Sequence, residues 1–73
     1  MEEKLIEELK KLCDKVTDYQ GDSMEEFTCL LSEASGGCKL LIEAEINEDY
    51  VLQLMTSMLL LSMPVVIRLS EVN

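Results

Sequence analysis

The chain has 73 residues, with 15 acidic side chains against 6 basic ones for a formal charge of −9, three cysteines and no histidine. A mass of 8.3 kDa has room for a single domain over residues 1–73, and the acidity argues against direct binding to phosphate backbones. Without histidine the commonest general base near neutral pH and all His-containing metal sites are gone, so no enzymatic role, metal or cofactor is expected.

In residues 2–18, Leu5, Ile6, Leu9, Leu12, Cys13 and Val16 recur at helical spacing over an arc of roughly 100–140°, which predicts an amphipathic helix. Its other face carries Glu2, Glu3, Glu7 and Glu8 early and Lys10, Lys11 and Lys15 later, an order that suits the helix dipole and allows a Glu7–Lys11 pair. Asp18-Tyr19-Gln20-Gly21-Asp22 reads as a turn. Its alternating polar positions have the spacing of a calcium loop, but Ser23 stands where that loop needs glycine and Cys29 where it needs a bidentate glutamate. Ser23-Met24-Glu25-Glu26 has the form of a capping box and opens a second helix. Met24, Phe27, Leu30, Leu31 and Ala34 form its buried stripe, and Ser35-Gly36-Gly37 is expected to end it.

From Cys38 the period changes. Cys38, Leu40, Ile42, Ala44 and Ile46 alternate with Lys39, Leu41, Glu43 and Glu45, which predicts a strand over residues 38–46; the competing reading is a helix, since Lys, Leu, Glu and Ala are good helix formers. Asn47-Glu48-Asp49 resembles an N-cap followed by two first-turn acids, opening a third helix that runs until Pro64 stops it. Its apolar residues, Tyr50, Val51, Leu52, Leu54, Met55, Met58, Leu59, Leu61 and Met63, sweep roughly 220° of the wheel, more than one contact layer covers. The β-branched run Val65-Val66-Ile67-Arg68-Leu69-Ser70-Glu71-Val72 predicts a second strand. Arg68 then lies on the polar side of the sheet, where it neutralises Glu43 or Glu45.

The expected fold is therefore α+β in the order α-α-β-α-β. Two parallel strands make a weak sheet, which oligomerisation would complete; the alternative is an all-α helical bundle. Tyr50 to Ile67 contains no charge for 18 residues, the lower limit of a membrane span. Pro64 and the polar Gln53, Thr56, Ser57 and Ser62 dilute it and no lysine cluster orients it, so a buried helix of a soluble protein is the preferred reading. From three scattered cysteines and an N-terminus without a secretory pattern, a reducing cytoplasm is the expected location. Cys13 and Cys38 read as small core residues and Cys29 as a thiol on the polar side, with a disulfide-linked dimer through Cys29 as the rival.

Three functions follow from these features. The first is a small non-enzymatic interaction protein whose acidic face, Asp18, Asp22, Glu25 and Glu26 with Glu2, Glu3, Glu7 and Glu8, docks on a basic surface of a protein partner. That partner includes nucleic-acid-binding proteins, which bacteriophage anti-defence proteins inhibit by mimicking nucleic acid; the likeness is one of type, without a shared motif. The second is a homo-oligomeric structural or regulatory subunit, with Val51, Met55, Met58, Leu59 and Leu60 as interface residues. The third is an oligomer binding a small molecule or nucleotide at Tyr50, Gln53, Thr56 and Ser57, although no glycine-rich phosphate loop leads into a helix.

Overall fold

The computed structural model describes residues 2–72, except for the side chain of Val72, and contains three helices: α1 (Glu2–Thr17), α2 (Met24–Glu43) and α3 (Glu48–Val72). No strand occurs among the described residues. The α+β expectation is overturned, and the all-α bundle is the fold.

The first helix follows its predicted stripe. Leu9, Cys13 and Val16 are buried, Ile6 and Leu12 pack at their margin, and the charged residues face outward. The Glu7–Lys11 pair is not closed; the ion pair formed among the described residues is Arg68 with Asp22. Ser23 caps α2 as its spacing required, its Oγ accepting from the Glu26 amide at 3.1 Å. The reciprocal arm of the capping box is supplied by a different residue. Tyr19 folds back under the turn, its ring 5.7 Å from that of Phe27, and its hydroxyl accepts from the Ser23 amide while donating to the Ser23 carbonyl, both at 3.1 Å.

The second helix runs through Ser35-Gly36-Gly37 rather than ending there, and neither glycine has a positive φ. The helical stripe decides this. Phe27, Leu31, Ala34, Cys38 and Leu41 keep 3–4 spacing across the glycines, and all face the core. Gly37 has a packing role, since a Cβ there would lie 2.9 Å from Leu9 Cδ1 on α1. The predicted strand over residues 38–46 is thus the last turns of α2 and the loop after it. The alternation failed because Leu40, placed on the inner face, is 68% exposed while Leu41 packs on the core.

Termination of α2 falls to Glu45, at φ 59°. The Glu45 amide donates to the Ile42 carbonyl (3.1 Å) and the Ile46 amide to the Leu41 carbonyl (2.9 Å), the two bonds of a Schellman motif, with half-buried Ile46 and Leu41 as its apolar pair. Asn47 follows at φ 50°, a conformation asparagine tolerates, and its carbonyl accepts the Val51 amide at 3.0 Å. Two left-handed residues, Glu45 and Asn47, on either side of Ile46 and without glycine, give no helix-stop signal in the sequence.

The third helix continues through Pro64, so the predicted strand over residues 65–72 is also overturned. Proline removes one donor, leaving the Leu60 carbonyl without its i+4 amide, but Leu60 and Pro64 are both exposed, so solvent can reach that carbonyl and the cost is reduced. What holds the last turns helical is the inward series Val51, Met55, Met58, Ser62, Val65 and Leu69, at spacings of 4, 3, 4, 3 and 4, unbroken by the proline. Ser62 fits this apolar seam because its Oγ donates to the Leu59 carbonyl one turn back, at 2.9 Å.

Each helix packs on the other two, giving a body of 40 × 17 × 16 Å. The chain runs up, down and up, so the α1–α2 loop meets the end of α3. Arg68 fastens this junction: Nη1 donates to the Gly21 carbonyl (2.8 Å), Nη2 to the Tyr19 carbonyl (3.0 Å), and the Asp22 carboxylate lies 3.7 Å away. The expected pairing of Arg68 with Glu43 or Glu45 is replaced by this loop clamp.

Candidate interaction surface

The eight acidic residues expected to form one face do not come together. Asp18, Asp22, Glu25 and Glu26 lie at the end where α1 turns into α2, and residues 18–26 contain no basic side chain of their own. Glu2, Glu3, Glu7 and Glu8 occupy the first two turns of α1, roughly 15–24 Å away along the helix at 1.5 Å per residue. There Glu2, Glu3 and Glu7 share a shallow concavity with Asn47, and Glu45, Glu48 and Asp49 belong to the same end. The acid is therefore gathered at both poles of an elongated bundle. Asp22 is partly neutralised by Arg68, but only at 3.7 Å and with 84% of its side chain exposed, which makes a weak pair.

Between the poles, the surface of α3 is uncharged and mostly apolar. Leu52, Leu59, Leu60, Leu61, Met63, Val66 and Ile67 are all exposed, and no charged residue interrupts α3 from Tyr50 to Ile67. Of the interface residues expected from the sequence, Val51 (0% exposed) and Met58 (1%) are spent on the chain's own core, and Met55 packs at the core margin. Leu59 and Leu60 are free for contact, at 44% and 64% exposure. Met63 belongs to the apolar arc expected of the third helix but was not among its interface residues, and Val66 and Ile67 lie beyond Pro64, the local stop signal that hid them from a helical wheel. Helix α3 also meets the length and composition of a membrane span over Glu48–Glu71, with 22% of its most apolar window buried in the bundle.

The other candidate chemistry is placed as follows. Tyr50, Gln53, Thr56 and Ser57 are exposed along α3. Among the described residues no three of His, Cys, Asp and Glu are grouped to hold a metal ion. All three cysteines are free, Cys13 and Cys38 buried and Cys29 exposed. Burial, with Cys38 beside it, pushes the Cys13 thiol up to about 12, and burial also raises Cys38. Both remain protonated at neutral pH and behave as small core residues. Comparison with protein families, curated proteins and solved structures finds no match to this chain.

Proposed function

We propose that this protein is a small, non-enzymatic interaction module that binds another protein chain through the outer face of α3. The observation that carries the reading is the cluster of exposed large apolar residues on one helix, from Leu52 to Ile67, in a chain whose other two helices turn charged faces outward. A contiguous apolar patch of several hundred Å² on a small domain is characteristic of a contact surface. The acidic poles act alongside it. They keep the module soluble and bias encounters toward partners with basic rims, an effect that fades above physiological salt.

A second reading keeps the acidic end itself as the contact, docking on a basic protein surface that otherwise receives nucleic acid. Its support is the convergence of Asp18, Asp22, Glu25 and Glu26 at one pole. Photo-crosslinking separates the two. A photoreactive phenylalanine at position 60 and, separately, at position 22 is activated in native lysate at low and high salt. Salt-resistant adducts from position 60 are expected. Adducts from position 22 alone, lost at high salt and displaced by DNA or RNA, would overturn the α3 reading and establish the acidic decoy.

A further inference from the structure

We infer that the occupant of the α3 outer face is a second copy of this chain, the two α3 helices pairing antiparallel about a twofold axis that passes between Leu59 and Met63. This rests on the reading that the outer face of α3 is a contact surface, and it adds the partner and the register.

The periodicity points to a helix as partner. The inner seam of α3 places Val51, Met55, Met58, Ser62, Val65 and Leu69 against α1 and α2. One position further along, Leu52, Thr56, Leu59, Met63, Val66 and Ser70 repeat the same spacing of 4, 3, 4, 3 and 4, and all six are exposed. Leu60 and Ile67 widen this second seam on one side. An apolar repeat of 3.5 residues keeps one face of a helix against another helix for several turns. The offset of one residue turns the second seam by about 100° from the first. Helix α3 can therefore hold its own bundle with one seam and a neighbouring helix with the other.

The area of this face suits a second copy of the chain, and the face carries no charge of its own from Tyr50 to Ile67 to oppose the contact. From their fractional exposures, Leu52, Leu59, Leu60, Met63, Val66 and Ile67 present roughly 600 Å². A pair would bury about 1,200 Å², the lower edge of stable specific interfaces. A lipid surface fits less well, because interfacial helices border their apolar face with lysine and arginine, whereas this one begins with Glu48 and Asp49 and ends with Glu71. Antiparallel pairing opposes the helix dipoles and keeps the two Glu48–Asp49 pairs at opposite ends, where parallel pairing would bring them together. The register that matches the seam over its whole length layers Leu59 on Met63, Thr56 on Val66 and Leu52 on Ser70.

Sedimentation equilibrium on the purified full chain, from about 2 to about 200 μM, brackets the micromolar affinity expected of such an area. The expected result is a species of twice 8.3 kDa. The L60E/M63E variant should stay at the monomer mass, weakened at least about 100-fold, with unchanged helical circular dichroism because both side chains are exposed. In a C29S background, mixing T56C with V66C chains should form the mixed disulfide in preference to either homodimer. A wild-type monomer throughout the range overturns the inference, a dimer that survives L60E/M63E overturns its placement, and homodimeric disulfides overturn the antiparallel register. A monomer that still crosslinks another protein from position 60 removes the self-pairing and leaves the contact surface standing. So does a monomer that cosediments with phosphatidylcholine vesicles but still gives protein adducts from position 60. A monomer with no protein adduct from that position removes both.

Discussion

The neighbouring glycines of α2 provide a sharp test of the fold, because two nearly identical substitutions should have different effects. Both residues are helical, and glycine inside a helix costs about 0.5–1 kcal/mol relative to alanine. A Cβ at Gly36 would meet nothing within 4 Å. Gly36→Ala should therefore stabilise by about the full propensity difference, raising Tm by roughly 4–8 °C per kcal/mol for a domain this small. At Gly37 the same gain is opposed by the Cβ standing 2.9 Å from Leu9 Cδ1, well inside normal carbon contact. Leu9 is buried and Leu12 Cδ1 is 4.0 Å from the same point. Overpacking of this kind costs about 1–3 kcal/mol, and a terminal methyl that can shift toward the shallow α1–α2 groove keeps it near the lower figure. Gly37→Ala should come out between neutral and about 1 kcal/mol destabilising. Urea unfolding followed at 222 nm reads both, with the midpoint moving at constant m-value. A destabilised Gly36→Ala variant would show that the glycines form a left-handed helix stop after residue 35, and the continuous α2 would be wrong. Equal stabilisation by both would mean that α1 and α2 do not approach so closely at Gly37.

Glu45→Gly should stabilise by about 0.5–1 kcal/mol, since φ 59° penalises any side chain; a loss in thermal unfolding would refute the Schellman geometry. Arg68→Met should cost about 1–2 kcal/mol in urea titration, reduced from the value of two buried charged hydrogen bonds because 38% of the side chain is in solvent. Arg68→Lys should recover no more than half of that loss, and full recovery would mean the guanidinium fork is not used. For the buried thiols the sign follows from proton uptake. Cys13 titrates at about 12 in the native state against 9.0 as its ordinary value, so the native state holds more protons between these limits. The stabilising contribution is complete below pH 9, and stability should fall above it by up to about 1.4 kcal/mol per pH unit for each such thiol. Cys13→Ala should flatten that slope, and a wild-type stability constant to pH 10.5 would contradict it. Ellman titration should find Cys29 at once and the other two only on unfolding.

The parts of the fold that could be read from the sequence were those set by one local rule. Helix α1, the turn at residues 18–22 and the Ser23 cap each follow from neighbours within four positions, and each stands where it was expected. The second half of the chain was misread where two rules conflict. Gly36-Gly37 and Pro64 are strong local stop signals, yet at both places a 3–4 apolar seam continues underneath, and burial of Cys38, Leu41, Val65 and Leu69 outweighs the local cost. The strand reading of residues 38–46 depended on Leu40 facing inward. That leucine is an exposed residue beside a small-residue contact, and the alternation was a coincidence of composition. At the candidate surface, the charge-free character of α3 and its excess apolar arc were legible, but the division of that arc into an inner and an outer seam was not. Without the positions of α1 and α2, Val51 and Met58 look as available for a partner as Leu59 and Leu60 do.

The arrangement of charge limits the ways in which so apolar a helix can associate in a strongly acidic chain. On α1, five acids are interleaved with four lysines, so that helix contributes little to the net charge of −9. The excess sits at the ends: four acids without a base in residues 18–26, and Glu45, Glu48 and Asp49 at the opposite pole. End-to-end contact therefore always brings negative poles together, and an apolar stripe extended by stacking copies along its axis is opposed electrostatically. Side-by-side contact of two α3 helices places the charge-free stripe of residues 50–67 between the copies and leaves the acidic poles at the solvent-exposed ends, where salt screens their repulsion. A self-complementary face used once in each copy closes on itself, whereas a face that meets a different patch on the next molecule propagates into a fibre. Uniform acidity would serve solubility alone; acidity withheld from α3 and concentrated at the poles permits one lateral partner and disfavours the rest.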